Sequence, residues 1–160
     1  MTDPKITRIL VLVDFSEITR SVLDHAQHWA KLNSAELILL HVVHLPVMAD
    51  SGTWLDPVIS PSLEQDIRKQ MMATASAKMR ELAQECETAG LKTESLVREG
   101  VPTAEIIKCV EEKKADLAII GSHGQSAISH FLMGSVADRV VRRAPCHVLC
   151  IRSRPGENAD

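Results

Sequence analysis

Four stretches of this chain are almost continuously apolar, and each has the length of a strand rather than of a helix. They are Thr7–Val13 (TRILVLV), Glu36–Val43 (ELILLHVV), Asp116–Ile120 (DLAII) and Cys146–Ile151 (CHVLCI). A strand with one face in water alternates polar and apolar residues. A run that does not alternate needs cover on both faces, which is the situation in a parallel sheet held between helices. Between these runs the period changes. Ile18, Val22, Ala26, Trp29 and Ala30 recur at three- and four-residue spacing, so one face of a helix is apolar. Ser16 is its expected N-cap, with Glu17 in the first turn and Asn33-Ser34 at the close.

The same reading continues along the chain. A long helix is expected from Ser62 to about Thr88, with Leu63, Ile67, Met71 and Ala75 inward and Gly90 as its stop. Leu91–Arg98 alternates and reads as an edge strand. Gly100-Val-Pro-Thr103 leads into a short helix with Ile106, Ile107 and Val110 inward. Ser135-Val-Ala-Asp138 has the form of a capping box opening a last helix, which Arg142 and Arg143 end ahead of Pro145. The order is β-α-β-α-β-α-β-α-β, an α/β pattern with right-handed crossovers and helices on both faces. With 160 residues the whole chain, 1–160, suits a single domain around one sizeable core. Residues 44–61 carry Pro46, Gly52, Pro57 and Pro61 and are expected as a long loop, a natural candidate for mobility or for a lid over a site. Residues 153–160 are expected as a flexible polar tail.

Composition excludes several functions. Two Phe, two Trp and no Tyr leave little to stack on bases, and a net charge of −3 offers no general attraction to nucleic acid or anionic membranes. No apolar run approaches the roughly 20 residues of a membrane helix. The N-terminus lacks a basic segment followed by an apolar one, so no signal peptide is expected and the cytoplasm is the default location. Cys86, Cys109, Cys146 and Cys150 form no CxxC pair. On one strand, Cys146 and Cys150 stand about 13 Å apart at about 3.3 Å per residue, too far for a disulfide. Reduced, partly buried thiols are expected. The seven histidines include the pairs His25/His28 and His41/His44, but no carboxylate cluster completes a metal set.

The stretch Gly121–Ser135 (GSHGQSAISHFLMGS) holds three of the seven glycines, directly after an apolar run and before a helix. Glycine permits positive φ and close approach of a ligand to the backbone, and the free N–H groups of a helix start bind anions. Gly121, Gly124, Gly134 and Ser135 therefore read either as a two-part anion cradle or as a glycine turn with a serine cap. Asp14, at the end of the first run, reads either as a carboxylate for ribose hydroxyls or as a complement to a helix dipole. His123 is placed to approach a phosphate. Both the Walker pattern and GxGxxG are absent, and no Lys lies within the glycine stretch. Phosphoryl transfer needs positioned cations, so binding is legible here and catalysis is not.

Gly121-x-x-Gly124, nine residues, then Gly134-Ser135 resembles the G-2x-G-9x-G-[S/T] signature of ATP-binding universal stress proteins. Val13-Asp-Phe-Ser-Glu17, Leu40-His-Val-Val43 and Glu99-Gly-Val-Pro102 are similar to other segments of that family, in order along nearly the whole chain. The resemblance implies a doubly wound, Rossmann-like parallel sheet of five strands in the order 3-2-1-4-5, and a homodimer joined through the last strand. It implies a dimeric, nucleotide-dependent regulator of stress response. The alternatives are a slow ATPase at most, or a nucleotide-free scaffold of the same fold. By carry-over, Asp14 holds ribose and the backbone near Val42 meets adenine. Gly121, Gly124, Gly134, Ser135 and the Val136 amide surround the phosphates of ATP (or ADP or AMP), with Mg²⁺ carried by those phosphates. Leu12, Val13, Ser122 and His123 complete the expected site. Leu12-Val13 stands where such relatives often carry Pro-Thr, so a hydroxyl contact is missing at Val13. A regulatory protein partner is expected; nucleic acid and membrane insertion are not.

Overall fold

The computed structural model describes residues 5–44, 61–124 and 133–152. The expected loop 44–61, apart from its ends, and the expected tail 153–160 lie outside them, as do residues 125–132 of the glycine stretch. Five strands, β1 (Arg8–Leu12), β2 (Glu36–Val43), β3 (Thr93–Glu99), β4 (Leu117–Gly121) and β5 (His147–Ile151), alternate with four helices. The helices are α1 (Thr19–Asn33), α2 (Pro61–Thr88), α3 (Pro102–Lys113) and α4 (Ser135–Arg143). The strands form one sheet in the order β3-β2-β1-β4-β5, parallel at every pairing. This is the expected α/β architecture and strand order.

The uninterrupted apolar runs now have their explanation. Ile9, Val11, Leu37 and Leu39 face the α1/α2 layer, where they meet Val22, Ala26, Met79 and Cys86. Leu10, Ile38, Leu40 and Ala118 face the α3/α4 layer, with Ile106, Cys109 and Val140. Alternate residues thus enter opposite cores, and neither set can be polar. At the amino ends of the strands, Asp116 Oδ2 accepts from the Thr7 amide and hydroxyl, both at 2.8 Å, and from the Arg8 amide at 3.0 Å. This carboxylate fastens β1 to β4.

Three local expectations are corrected. First, α1 begins at Thr19 with no side-chain cap, so Ser16 is not its N-cap. Second, Gly134 is the N-cap of α4, and no side-chain hydrogen bond caps it. Ser135 is the first helical residue, and Asp138 binds Arg142 at 3.0 Å instead of closing a capping box. Third, α2 is buried at Ala75, Met79, Ala83 and Cys86, whereas Leu63, Ile67 and Met71 are exposed. The cause is length. The 28 residues of α2 span about 42 Å at about 1.5 Å each, while the eight residues of β2 span about 26 Å at about 3.3 Å. The first turns of α2 therefore run past the carboxyl edge of the sheet. Gly90 ends the segment after α2 at φ +83°, a left-handed position suited to glycine.

Candidate functional site

In a parallel sheet the strand ends that matter are those where neighbouring connections leave in opposite directions. Here that place is between β1 and β4. A cavity of about 200 Å³ opens there, and every residue of the expected site, from Leu12 to Val136, lines it.

Its wall on the β1 side is set by a turn. Phe15 takes φ 60° although it is not glycine, a conformation that stores strain in a bulky residue. The turn sends the Phe15 ring against His41, centroids 4.4 Å apart, with Lys78 Nζ 5.1 Å from the ring centre. It leaves Asp14 facing the cavity. Asp14 Oδ1 accepts from Ser16 N at 3.0 Å, Ser16 Oγ at 2.6 Å and Thr19 Oγ1 at 3.1 Å. The carboxylate therefore orders the entry to α1, as a helix-start residue does, while its Oδ2 faces Gly124. The helix-start reading of Asp14 accounts for Oδ1, and Oδ2 lies on the side of Gly124.

The base of the cavity follows from strand periodicity. Val13 N donates to Leu40 O at 2.9 Å, and Val13 O is 2.7 Å from His41 Nδ1. With both backbone groups engaged and its side chain only 3 % exposed, Val13 anchors the turn and packs in the core. Backbone groups two residues apart on a strand face the same side. Since β1 stops at Leu12, the N–H and C=O of Val42 face the cavity with no strand beside them. Pro102, Ile106, Leu40 and Ile120 supply apolar walls around that donor–acceptor pair.

The β4 side is the glycine region. A Cβ on Gly121 would stand 2.7 Å from Ile18 Cγ2, one on Gly124 3.0 Å from Asp14 Oδ2, and one on Gly134 3.3 Å from Ser122 O. Ser122, 2 % exposed, is the joint. Its N donates to Ile151 O and its O accepts from Gly134 N, both at 2.7 Å, and its Oγ is 2.7 Å from His123 Nδ1. It ties the turn to β5 and to α4. The first α-type bond of α4 runs from Asp138 N to Gly134 O. The amides of Ser135, Val136 and Ala137 precede it and sit at the positive end of the helix dipole. Glycines whose side-chain space is filled, beside open helix amides, fit an anionic group.

Among the described residues the cavity contains Asp14 but no Lys or Arg, and between Asp116 and Arg139 the sequence has neither. Among the described residues no cluster of His, Cys, Asp or Glu is placed to hold a metal. The expected thiols are free; burial pushes Cys86 and Cys109 up from the ordinary thiol range. His44 reaches Gly100 O at 3.1 Å and His25 reaches Ser21 O at 2.8 Å, both at the surface. No helix among the described residues is long and apolar enough to cross a membrane. Sequence reading missed the wall residues Leu40, Pro102 and Ile106. The equal parity of Leu40 and Val42 on one strand was the available signal for the first.

Comparison with known proteins gives a consistent picture. Residues 5–152 match the model of the Universal stress protein family. Universal stress protein MJ0577 of Methanocaldococcus jannaschii is 30 % identical over 92 % of this chain and 95 % of its own. The solved structure of MJ0577 superposes with a TM-score of 0.81, covering 95 % of this chain and 99 % of that one, at 28 % identity. Two more distant structures share the fold. One is a universal stress protein in complex with cAMP (TM-score 0.66, 24 % identity, 92 % and 98 % covered). The other is an Arabidopsis thaliana family protein with AMP bound (TM-score 0.67, 21 % identity, 96 % and 95 % covered).

Proposed function

This chain belongs to the universal stress protein family, and we propose that it is a nucleotide-binding regulator in which the β1/β4 cavity takes an adenine nucleotide. The observation that carries the reading is the conjunction at one strand edge of an open Val42 donor–acceptor pair, the Asp14 carboxylate and the glycine-walled start of α4. A purine edge pairs with one donor and one acceptor, a ribose diol donates to a carboxylate, and phosphate oxygens accept from helix amides. Proteins of this fold with cAMP and with AMP bound support the ligand class.

Charge sets the expected order of preference. A triphosphate brings several negative charges to a cavity whose described residues offer helix amides and one carboxylate, but no cation. Mg²⁺ bound to the phosphates would supply the missing positive charge. The residues of this chain bind and orient; none of the described ones is placed as an arginine finger or P-loop lysine, so fast hydrolysis is not expected. Pairing of two copies through β5, the open edge of the sheet, completes the proposed regulator.

Equilibrium dialysis of the purified protein against AMP, ATP and UMP, with and without Mg²⁺, tests the reading. AMP is expected to be retained without metal, ATP chiefly with it, and UMP weakly in both. Retention of all three alike, or of none, would overturn the assignment.

A further inference from the structure

Helices α3 and α4 line the candidate site with one face each, and their outer faces form a second concavity. This groove, of about 500 Å³, is lined by apolar Val101, Ala104 and Ile107 and by the cations Lys108, Arg139 and Arg143, with Glu111 the one acid. We propose that it is a docking surface for an acidic, partly apolar peptide segment of another protein.

The charge pattern points to the occupant. The whole chain is acidic, with net charge −3, yet here three cations meet one carboxylate. Arg8, Arg20, Arg68, Arg98 and Arg142 each hold a carboxylate of the chain itself, and Lys108 of the groove stands 3.9 Å from Glu112. Arg139 and Arg143, like Arg80 and Arg152, pair with no described carboxylate, and both are exposed. Four residues apart, they share one face of α4, where like charges repel and weaken a helix slightly. That cost is offset when an acidic partner lies across them.

The apolar floor narrows the class further. Val101 is 56 % exposed, among the most open large apolar residues described, and it adjoins Ala104 on the first turn of α3. An acidic segment with apolar residues at intervals satisfies both halves of the groove, as helix-in-groove partners do. A nucleic acid satisfies one half only. Among the described residues no aromatic lines the groove for stacking, and Glu111 opposes a phosphate backbone. The proposal stands apart from the nucleotide reading, since the groove needs no ligand in the β1/β4 cavity to exist.

The test uses the full chain without added nucleotide and a synthetic 12-residue peptide of glutamate with leucine at helical spacing. The comparison probes are hexaglutamate, the same peptide with lysine for glutamate, and a single-stranded 12-mer RNA. Titration followed by NMR is expected to give saturable shifts at Val101, Ala104, Ile107, Arg139 and Arg143 for the glutamate–leucine peptide. R139E/R143E is expected to weaken that binding about tenfold, and Arg139→Gln/Arg143→Gln less. Both pairs are exposed substitutions, and a melting curve run on each variant establishes that it is folded. Unsaturable binding at millimolar peptide, equal affinity in R139E/R143E, equal binding of hexaglutamate, or tighter binding of the RNA would each overturn the proposal.

Discussion

Gly121 and Gly124 stand three residues apart in one signature, yet the structure assigns them different duties, and replacing each by alanine separates the two. At Gly121 the new Cβ would lie 2.7 Å from Ile18 Cγ2 and 3.3 Å from His123 O. Carbon atoms rest at about 3.5–4.0 Å, so the overlap with Ile18 approaches 1 Å. Ile18 is β-branched, 8 % exposed and stiff at χ1, so relief requires moving backbone. Overpacking of this kind costs about 1–3 kcal/mol. At about 2–4 °C per kcal/mol for a chain of this size, Gly121→Ala should melt roughly 2–12 °C below the native protein. At Gly124 the one neighbour among the described residues is Asp14 Oδ2 at 3.0 Å. Gly124 is exposed, and the carboxylate end has room to turn by a few tenths of an ångström. Gly124→Ala should therefore melt within about 2 °C of the native protein. Its methyl, however, projects between Asp14 and the cradle, and AMP should bind at least tenfold more weakly, about 1.4 kcal/mol. Calorimetric melts paired with AMP dialysis on both variants read the two effects. Native melting by Gly121→Ala would refute the packing argument, and native AMP affinity in Gly124→Ala would refute the placement of the ligand.

Other outcomes follow from the same geometry. Asp116→Ala removes three hydrogen bonds at the base of β1 and β4 and should cost about 1–2 kcal/mol at pH 7, measured by urea melts. Burial raises the Asp116 carboxyl, but the Thr7 amide and hydroxyl and the Arg8 amide lower it more, so it lies below its ordinary value. Its contribution is complete above the unfolded value of about 4 and is lost as pH falls through the folded one, so the gap between Asp116→Ala and the native protein should close below about pH 4. Asp14→Ala should lower stability by about 1–2 kcal/mol even without nucleotide, because Oδ1 holds Ser16 and Thr19; an unchanged melt would refute its part in ordering the turn into α1. In β5, His147 N and Ile151 O bond toward β4, so the N–H of Cys150 faces the open edge. Cys150→Pro should convert the proposed dimer to monomer in light scattering while the monomer stays folded; a persistent dimer would place the interface elsewhere.

Much of the fold was legible because burial on both faces leaves a mark that needs no partner to read. The runs around Leu10, Leu39 and Ile119 announce covered strands, and Gly90 and Pro102 punctuate the helices beside them. The glycine region was legible for a similar reason, since only glycine lets backbone stand where Gly121 meets Ile18. The strand order rested on family resemblance, because periodicity carries no information about which strands are neighbours. Helix starts were read least well. Ser16 and Ser135 have the chemistry of caps, but Asp14 Oδ1 takes the Ser16 amide and hydroxyl, and Gly134 takes the cap position of α4. The apolar spacing of Leu63, Ile67 and Met71 continues that of Ala75, yet the sheet beneath α2 ends before they reach it.

The sequence by itself determined the element types, the two-sided cover of the sheet and the place of the glycine turn between β4 and α4, since these follow from side-chain period and backbone freedom within a few residues. Only the tertiary structure decided which groups meet: Asp116 with Thr7 across 109 positions, Val13 with His41, Ser122 with Ile151, and the cations of α4 with the apolar rim of α3. A hydrogen bond or a groove is fixed by distance in space, and distance in space is what a linear pattern leaves open.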